Sequence, residues 1–155
     1  MTSRPANAQN TRTGRAPVQL AALVFGIVFI LVGVLGFIPG ITTNYDALLF
    51  AGSDSAALLL GVFQVSILHN IVHLLFGVAG VVLARSFSGA RNYLIWGGVI
   101  YFVLWIYGLF VSGDTPANFV PVNNADNWLH LVLAIAMVAL GVLLGRRNTT
   151  TKARG

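Results

Sequence analysis

Three histidines and one aspartate stand at spacings that could bind a metal ion. His69 and His73 are four residues apart, and Asp126 and His130 repeat that spacing further along the chain. Residues four apart in a helix lie on one face, so each pair would present two ligand groups side by side. Imidazole and carboxylate groups together suit Zn²⁺ or Cu²⁺. If the two pairs meet at one depth, the four residues form a candidate metal or redox site.

The asparagines that follow these pairs support a second interpretation. Asn70 and Asn127 could orient the ring nitrogens of metal-bound histidines. Polar groups inside membranes, however, often hydrogen-bond between helices and contribute about 0.6–2 kcal/mol each. We therefore favour a structural role. The helices that carry the two pairs, which are the second and fourth of the membrane spans predicted below, would be held together by Asn70, His73, Asn127 and His130. His69 and Asp126 would then be water-exposed residues in the first helical turns.

Haem is a further alternative. His73 and His130 would face inward from two helices at similar depth, as in bis-histidine b-type haem. The propionates would point to the outer surface, where four aspartates repel them and no Lys or Arg receives them. We rank haem below a Zn or Cu ion, and the structural interpretation needs no cofactor. The sequence also has no nucleotide-binding motif and no motif of a catalytic nucleophile, so we expect that the protein is not an enzyme.

The elements that position these residues are apolar helices. The chain of 155 residues is 57% hydrophobic and 8% charged, with a mean hydropathy of +0.83, outside the range of soluble domains. About 20 apolar residues form a helix that crosses a bilayer. Four stretches without Asp, Glu, Lys or Arg predict spans at about 18–38, 66–84, 92–111 and 128–145. We predict an all-α transmembrane four-helix bundle, up-down-up-down, built from two similar helical hairpins.

The charges predict the orientation of this bundle. All four acidic residues fall in the first and third connections, and the nine basic residues fall in the second connection and the two tails. Lys and Arg concentrate in cytoplasmic segments, so both termini are predicted inside a bacterial inner membrane. Residues 1–17 and 146–155 are predicted to be basic cytoplasmic tails, and the first of them is expected to be disordered. The scattered basic residues do not indicate nucleic acid; the expected partners are lipid, another membrane protein or a second copy.

Two further expectations concern the apolar residues of the first connection and the aromatic residues of the third span. Residues 56–64, in the long first connection, are apolar enough to lie on the membrane surface as a short interfacial segment. The aromatic residues of the third span, which include Tyr93, Trp96 and Tyr101, are expected to face lipid or anchor the interfaces.

Two similar segments lead into the second and fourth spans. Residues 65–74 align with residues 122–131, which matches Asn70 with Asn127, His73 with His130 and His69 with Asp126. Both segments enter the membrane from the outside in the predicted topology. The repeat therefore suggests two hairpins related by a pseudo-twofold axis along the membrane normal.

Residues 61–80 and 123–131 also resemble a known family. They are similar to small four-span bacterial membrane proteins that are catalogued only as a domain of unknown function. The resemblance extends over residues 18–145 and depends on the two histidine motifs. Ser66 stands where an Asn is usual, and both residues cap helices. The resemblance implies the topology and the importance of the motifs, and it implies no activity.

Overall fold

The structure, a computed structural model, describes residues 14–111 and 115–146. The predicted terminal tails lie mostly outside these residues. In the described part, the main elements in chain order are the helix α1 (Pro17–Leu35), the strands β1 (Thr42–Thr43), β2 (Leu58–Leu59) and β3 (Phe63–Gln64), and the helices α2 (Ile67–Leu83), α3 (Phe87–Val111) and α4 (Asn124–Leu143). A single 3₁₀ turn, Tyr45–Ala47, follows β1. The predicted helical fold with four apolar helices is confirmed.

Three of the helices are long and apolar enough to cross a membrane. They are α1 with 19 residues, α3 with 25 and α4 with 20. The shorter α2 is an apolar helix of 17 residues and is about 26 Å long by the helical rise per residue. These helices are compatible with a multi-pass membrane protein.

The helix ends differ from the predicted span ends where polar groups cap the backbone. α1 stops at Leu35, before the predicted end, because Pro39 has no N–H to donate to the Leu35 carbonyl; the hydroxyl of Thr42 donates to this carbonyl instead (3.1 Å). α3 begins at Phe87, well before the predicted start at residue 92, because the Ser86 hydroxyl accepts a hydrogen bond from the Gly89 N–H (3.1 Å). The prediction treated charged Arg91 as part of a turn, whereas a helix can extend beyond its apolar part.

Glycines bring the helices of each hairpin into close contact. A Cβ added to Gly77 of α2 would meet the backbone of Gly26 and Ile30 in α1 at 2.7 and 2.6 Å. A Cβ on Gly98 of α3 would likewise lie 2.9 Å from the Ala134 carbonyl of α4. Small residues at such crossings let backbones approach closely. The extensive packing is therefore α1 against α2 and α3 against α4.

The first long connection forms a small antiparallel sheet instead of the predicted interfacial segment. The strand order is β1-β2-β3, with Thr42 opposite Leu59 and Leu59 opposite Phe63. Gly61, at φ +72°, provides the left-handed conformation that turns β2 into β3. The segment 56–64 therefore packs on the end of α1. Its buried residue Leu59 belongs to an apolar cluster that contacts Val32 and Leu35.

Hydrogen bonds attach this sheet to the connection before α4. The Asn123 side-chain amide donates to the Val62 carbonyl (2.7 Å), and the Gly52 N–H donates to the Phe119 carbonyl (2.7 Å). The two connections together form a layer, here called the cap, over one end of the bundle. Because both hairpins contribute to it, the cap links one hairpin to the other.

Two aromatic side chains of α3 are in the core, so their predicted lipid-facing position is wrong. Tyr93 and Tyr101 are each 5% exposed, whereas Trp96 is 65% exposed. Tyr101 stacks on Phe29 of α1 with ring centroids 5.3 Å apart, and Phe76 of α2 meets both rings edge-on. An apolar span does not reveal which of its aromatic residues face a neighbouring helix.

Candidate functional site

His69 lies in the first turn of α2, directly beneath the cap. Ser66 caps this helix, since its hydroxyl accepts a hydrogen bond from the His69 N–H (3.1 Å). The His69 side chain is only 5% exposed. The expectation that it is exposed to water is therefore wrong, because the folded connections cover a helix start that would otherwise be at the surface.

The three imidazole rings share one aromatic region under the cap. The rings of His69 and His73 stack with centroids 4.7 Å apart. The His73 ring also lies 5.8 Å from Phe29, and the His130 ring lies edge-on to Tyr101 at 5.2 Å. The structure thus brings together the histidines of both predicted pairs, in contact with the stacked rings at the centre of the bundle.

The two motif asparagines pack within their own hairpins. Asn70 is 1% exposed and occupies the space where a side chain on Gly36, the residue after α1, would lie. Asn127 is 5% exposed and occupies the same kind of space over Gly108 of α3. The structure therefore places these side chains between α1 and α2 and between α3 and α4, where we had expected a contact between α2 and α4.

The Asp126 side chain links the start of α4 to the sheet by a hydrogen bond. Its Oδ2 accepts hydrogen bonds from the N–H of Asn123 (3.0 Å) and from the N–H of Gln64 in β3 (2.9 Å). Asn123 in turn caps the helix by accepting from the Asp126 N–H (3.0 Å), which completes a capping box. Asp126 is 4% exposed, so the expectation that it is a water-exposed residue is wrong.

This use of the carboxylate bears on the metal hypothesis. Within residues 14–111 and 115–146, no group of three or more His, Cys, Asp or Glu side chains is placed to hold a metal ion. Asp126 directs an oxygen at two backbone N–H groups, and the stacked rings of His69 and His73 face each other. In the described residues, these side chains are therefore not arranged around a common point as the ligands of a metal ion would be.

Two cavities lie on either side of the histidines. The larger, about 140 Å³, lies between α2, α3 and α4 and includes His69, His73, Tyr101 and His130 in its lining. The smaller, about 90 Å³, lies between α4, α1 and the sheet and is lined by the same three histidines together with Asp126. The three imidazoles consequently lie between the two cavities and line both of them.

The comparison with protein families identifies the chain. Residues 19–143, which contain three of the four helices and all but the first two residues of α1, match the family model described as Domain of unknown function (DUF4383). The chain belongs to the DUF4383 family. The predicted resemblance to a family catalogued only as a domain of unknown function is therefore confirmed. No curated protein and no solved structure matches this DUF4383 member.

Sequence reasoning missed several residues around the site of this DUF4383 member. Tyr101 lines the larger cavity, Gln64 binds Asp126, and Gly108 receives Asn127. Gly108 had a recognisable signal, because a glycine inside a strongly apolar helix often marks close packing. Gln64 had none, since its contribution is a backbone N–H that any residue except proline provides.

Proposed function

We propose that this protein is a non-enzymatic integral membrane protein of the bacterial inner membrane, with a structural or accessory role in a larger assembly. Its four helices cross the membrane up-down-up-down, as two similar hairpins with both termini in the cytoplasm. The shorter α2 is the second span. The cap then lies on the outer side.

The use of the motif side chains in packing carries this proposal. Asn70 and Asn127 fill the spaces over Gly36 and Gly108, and Asp126 binds the backbone of the sheet. The Asn70 amide has no hydrogen-bond partner among the described residues, so it contributes to the helix contact by filling space, whereas the Asp126 carboxylate holds the cap through two backbone hydrogen bonds. A catalytic or transport site would instead present such groups to a substrate path.

The exposed surface of the helices supports the membrane location. Large apolar side chains cover the outside of the bundle, among them Leu75 (65% exposed), Trp96 (65%) and Phe110 (81%). A soluble protein rarely exposes continuous apolar surface of this extent. Lipid is the environment in which these side chains are stable.

Cysteine labelling tests the topology directly, because the natural chain contains no cysteine. Asp54→Cys places a thiol on the exposed cap, and Ser88→Cys places one at the exposed start of α3. With intact cells and a membrane-impermeant maleimide, we expect Asp54→Cys to react and Ser88→Cys to react only after the cells are opened. The reverse pattern would show that the orientation is inverted.

A second experiment separates the structural role from the metal alternative. The protein and its His73→Gln variant are purified in detergent and compared by elemental analysis, absorption spectrum and thermal unfolding. Gln keeps hydrogen-bonding capacity, so the structural role predicts a folded variant and the same low metal content in both proteins. A stoichiometric metal that is lost in His73→Gln would contradict the proposal and support a metal or redox protein.

The accessory role predicts that the protein is part of a complex in the membrane. Protein extracted at natural abundance in a mild detergent should migrate in a complex larger than its 16.5 kDa chain, and mass spectrometry should identify a membrane-protein partner or a second copy. A purely monomeric species in native membranes extracted under several detergents would contradict this role.

A further inference from the structure

We propose that a cleft between the start of α3 and the end of α4 binds the phosphate headgroup of an anionic phospholipid, whose acyl chains lie along the apolar face beside it. This cleft, here called the basic cleft, is lined by Phe87, Ser88, Arg91, Asn92 and Gly145. The site goes beyond the structural role. Of the proposed function, it rests only on the membrane location of the helices.

The basic cleft lies at the end of the bundle opposite to the cap. α2 and α4 both begin under the cap, so α3 begins and α4 ends at the other end. The cleft has a volume of about 330 Å³, within the range of about 300–1,000 Å³ of small-molecule sites. Ser88, Arg91 and Asn92 are exposed residues. The cleft is therefore wide enough and open enough to admit a headgroup.

The charges at this end of the bundle favour an anion. Four exposed arginines lie there: Arg15, Arg85, Arg91 and Arg146. The acidic residues that the structure describes lie instead at the cap end: Asp46, Asp54 and Asp126. The arginines are thus far from every described carboxylate, and they attract anions from outside the chain. At a membrane surface each such residue strengthens the attraction of anionic lipid by about fivefold.

Packing against Gly145 fixes one of these arginines in the cleft. A Cβ added to Gly145 would lie 2.7 Å from Cγ and 2.6 Å from Cδ of Arg91. The aliphatic part of the Arg91 side chain therefore covers Gly145, so less rotamer freedom is left to lose when the guanidinium binds a ligand. A guanidinium donates two parallel hydrogen bonds to phosphate oxygens. Arg91 is therefore the residue that we expect to hold the phosphate.

Two neutral residues of α3 add hydrogen-bond donors to the lining. Ser88 and Asn92 are four residues apart, so they share one face of the helix beside Arg91. Their hydroxyl and amide groups can donate to the phosphate oxygens, which only accept. A phosphatidylcholine has the same phosphate with a cation next to it, which the nearby arginines repel. The cleft therefore favours a headgroup with a net negative charge.

An apolar face for the acyl chains begins directly beside the cleft. The face of α3 that carries Asn92 continues to Trp96 and Val99, which are 65% and 38% exposed. Val142 of α4, three residues before Gly145, is 40% exposed. A phospholipid places its charged group in the cleft and its chains on this face. A free phosphate would contact only the cleft.

The cavities at the cap do not have this combination of groups. The cavities of about 140 and 90 Å³ under the cap contain no Lys or Arg in their linings. A third, of about 520 Å³ on the cap, also has no Lys or Arg in its lining and includes Asp54, whose carboxylate repels phosphate. An anionic headgroup is therefore expected at the end of the bundle opposite to the cap.

Lipid titration of the full-length protein in detergent tests this site, with native mass spectrometry to count the bound lipids. The probes are dioctanoyl phosphatidylglycerol and dioctanoyl phosphatidylcholine, which have the same acyl chains. We expect one phosphatidylglycerol per chain to bind at least about fivefold more tightly than phosphatidylcholine. An excess of glycerol phosphate should not displace it, because this soluble ligand has no acyl chains.

Three variants locate the site, and thermal unfolding checks that each is folded. Arg91→Gln removes the charge but keeps the carbons that cover Gly145, and should abolish the preference for phosphatidylglycerol. Arg85→Gln is the matched control, because it removes the same charge at the same end and Arg85 does not line the cleft, so the preference should remain. Ser88→Trp fills the cleft without changing any charge, and should weaken phosphatidylglycerol binding at least about fivefold.

Three results would overturn the proposal. Equal affinity for the two lipids would show that the headgroup charge is not recognised. Equal losses in Arg91→Gln and Arg85→Gln would show a diffuse attraction instead of a site. Displacement by glycerol phosphate would show that the ligand is a soluble phosphate. None of these results changes the outcome of the cysteine-labelling, metal or assembly experiments, so this site and the proposed function can fail separately.

Discussion

Asn70 of α2 lies directly against Gly36, in the space that any larger residue at position 36 would need. Asn127 of α4 has the same relationship with Gly108 of α3. A buried amide faces a glycine at the corresponding end of each hairpin. We expect the pairing of these residues to decide whether each hairpin closes.

The first prediction concerns the Gly36 and Asn70 pair. Gly36 has φ −61° and ψ −17°, which alanine adopts freely, so Gly36→Ala introduces no backbone strain. The added methyl group would overlap the Asn70 amide, and overpacking of this kind costs about 1–3 kcal/mol. Unfolding in detergent should therefore show a loss of that size for Gly36→Ala.

A double-mutant cycle and a control make this test specific. Adding Asn70→Ala should recover most of the loss, because the alanine at position 70 leaves room for the methyl group. Gly14→Ala is the control, since a Cβ there meets nothing within 4 Å. Additive losses in the double variant would show that the two residues do not share this space.

The second prediction compares two buried glycines. A Cβ on Gly77 would lie 2.6 Å from the Ile30 backbone nitrogen, whereas a Cβ on Gly97 would lie 2.7 Å from the terminal methyl of Met137 and 2.9 Å from the Phe76 ring. Side chains such as these can shift, the methionine end most easily, but the backbone of a packed helix cannot. Gly77→Ala should thus destabilise the protein by about 1–3 kcal/mol, and Gly97→Ala by clearly less. Equal losses in chemical unfolding would refute this distinction.

The third prediction concerns the link between Asp126 and the sheet. Asp126→Ala removes the acceptor for two backbone N–H groups, and leaving them unpaired should cost about 1–3 kcal/mol. The loss should be local as well as global, with faster hydrogen exchange at Gln64. Asp54→Ala is the control, because Asp54 is exposed on the same cap. Unchanged exchange at Gln64 in the Asp126 variant would show that the cap is held by other contacts.

The fourth prediction uses two leucines of similar exposure to locate the lipid. Leu75 in the middle of α2 is 65% exposed, and Leu60 in the sheet turn is 63% exposed. An arginine in the centre of a membrane helix costs about 2.5–3.5 kcal/mol on insertion scales, and one outside the hydrocarbon costs little. Leu75→Arg should lower the yield in the membrane fraction, and Leu60→Arg should not. Equal yields would argue against lipid around α2.

Much of the architecture follows from local composition. The charge-free stretches indicate four apolar helices, because apolar side chains over some 20 residues favour a helix wherever water is excluded. The histidine motifs were sufficient to indicate membership of a family of unknown function, now confirmed. Helix ends such as Leu35 and Phe87 were placed less well, since hydrophobicity does not mark where Pro39 interrupts the backbone hydrogen bonds or where Ser86 caps α3. The role of the motif residues and the orientation in the membrane stay predictions.

The sequence by itself determined the helices, their apolar character and which polar residues share a face, because these depend on neighbours three or four positions away. Only the tertiary structure decided what those polar residues contact. It paired each asparagine with a glycine of the preceding helix, buried His69 and Asp126 under the cap, and moved Tyr101 into the core. The physical reason is that such contacts depend on how two hairpins and a folded connection fill space together, and no local pattern encodes that arrangement.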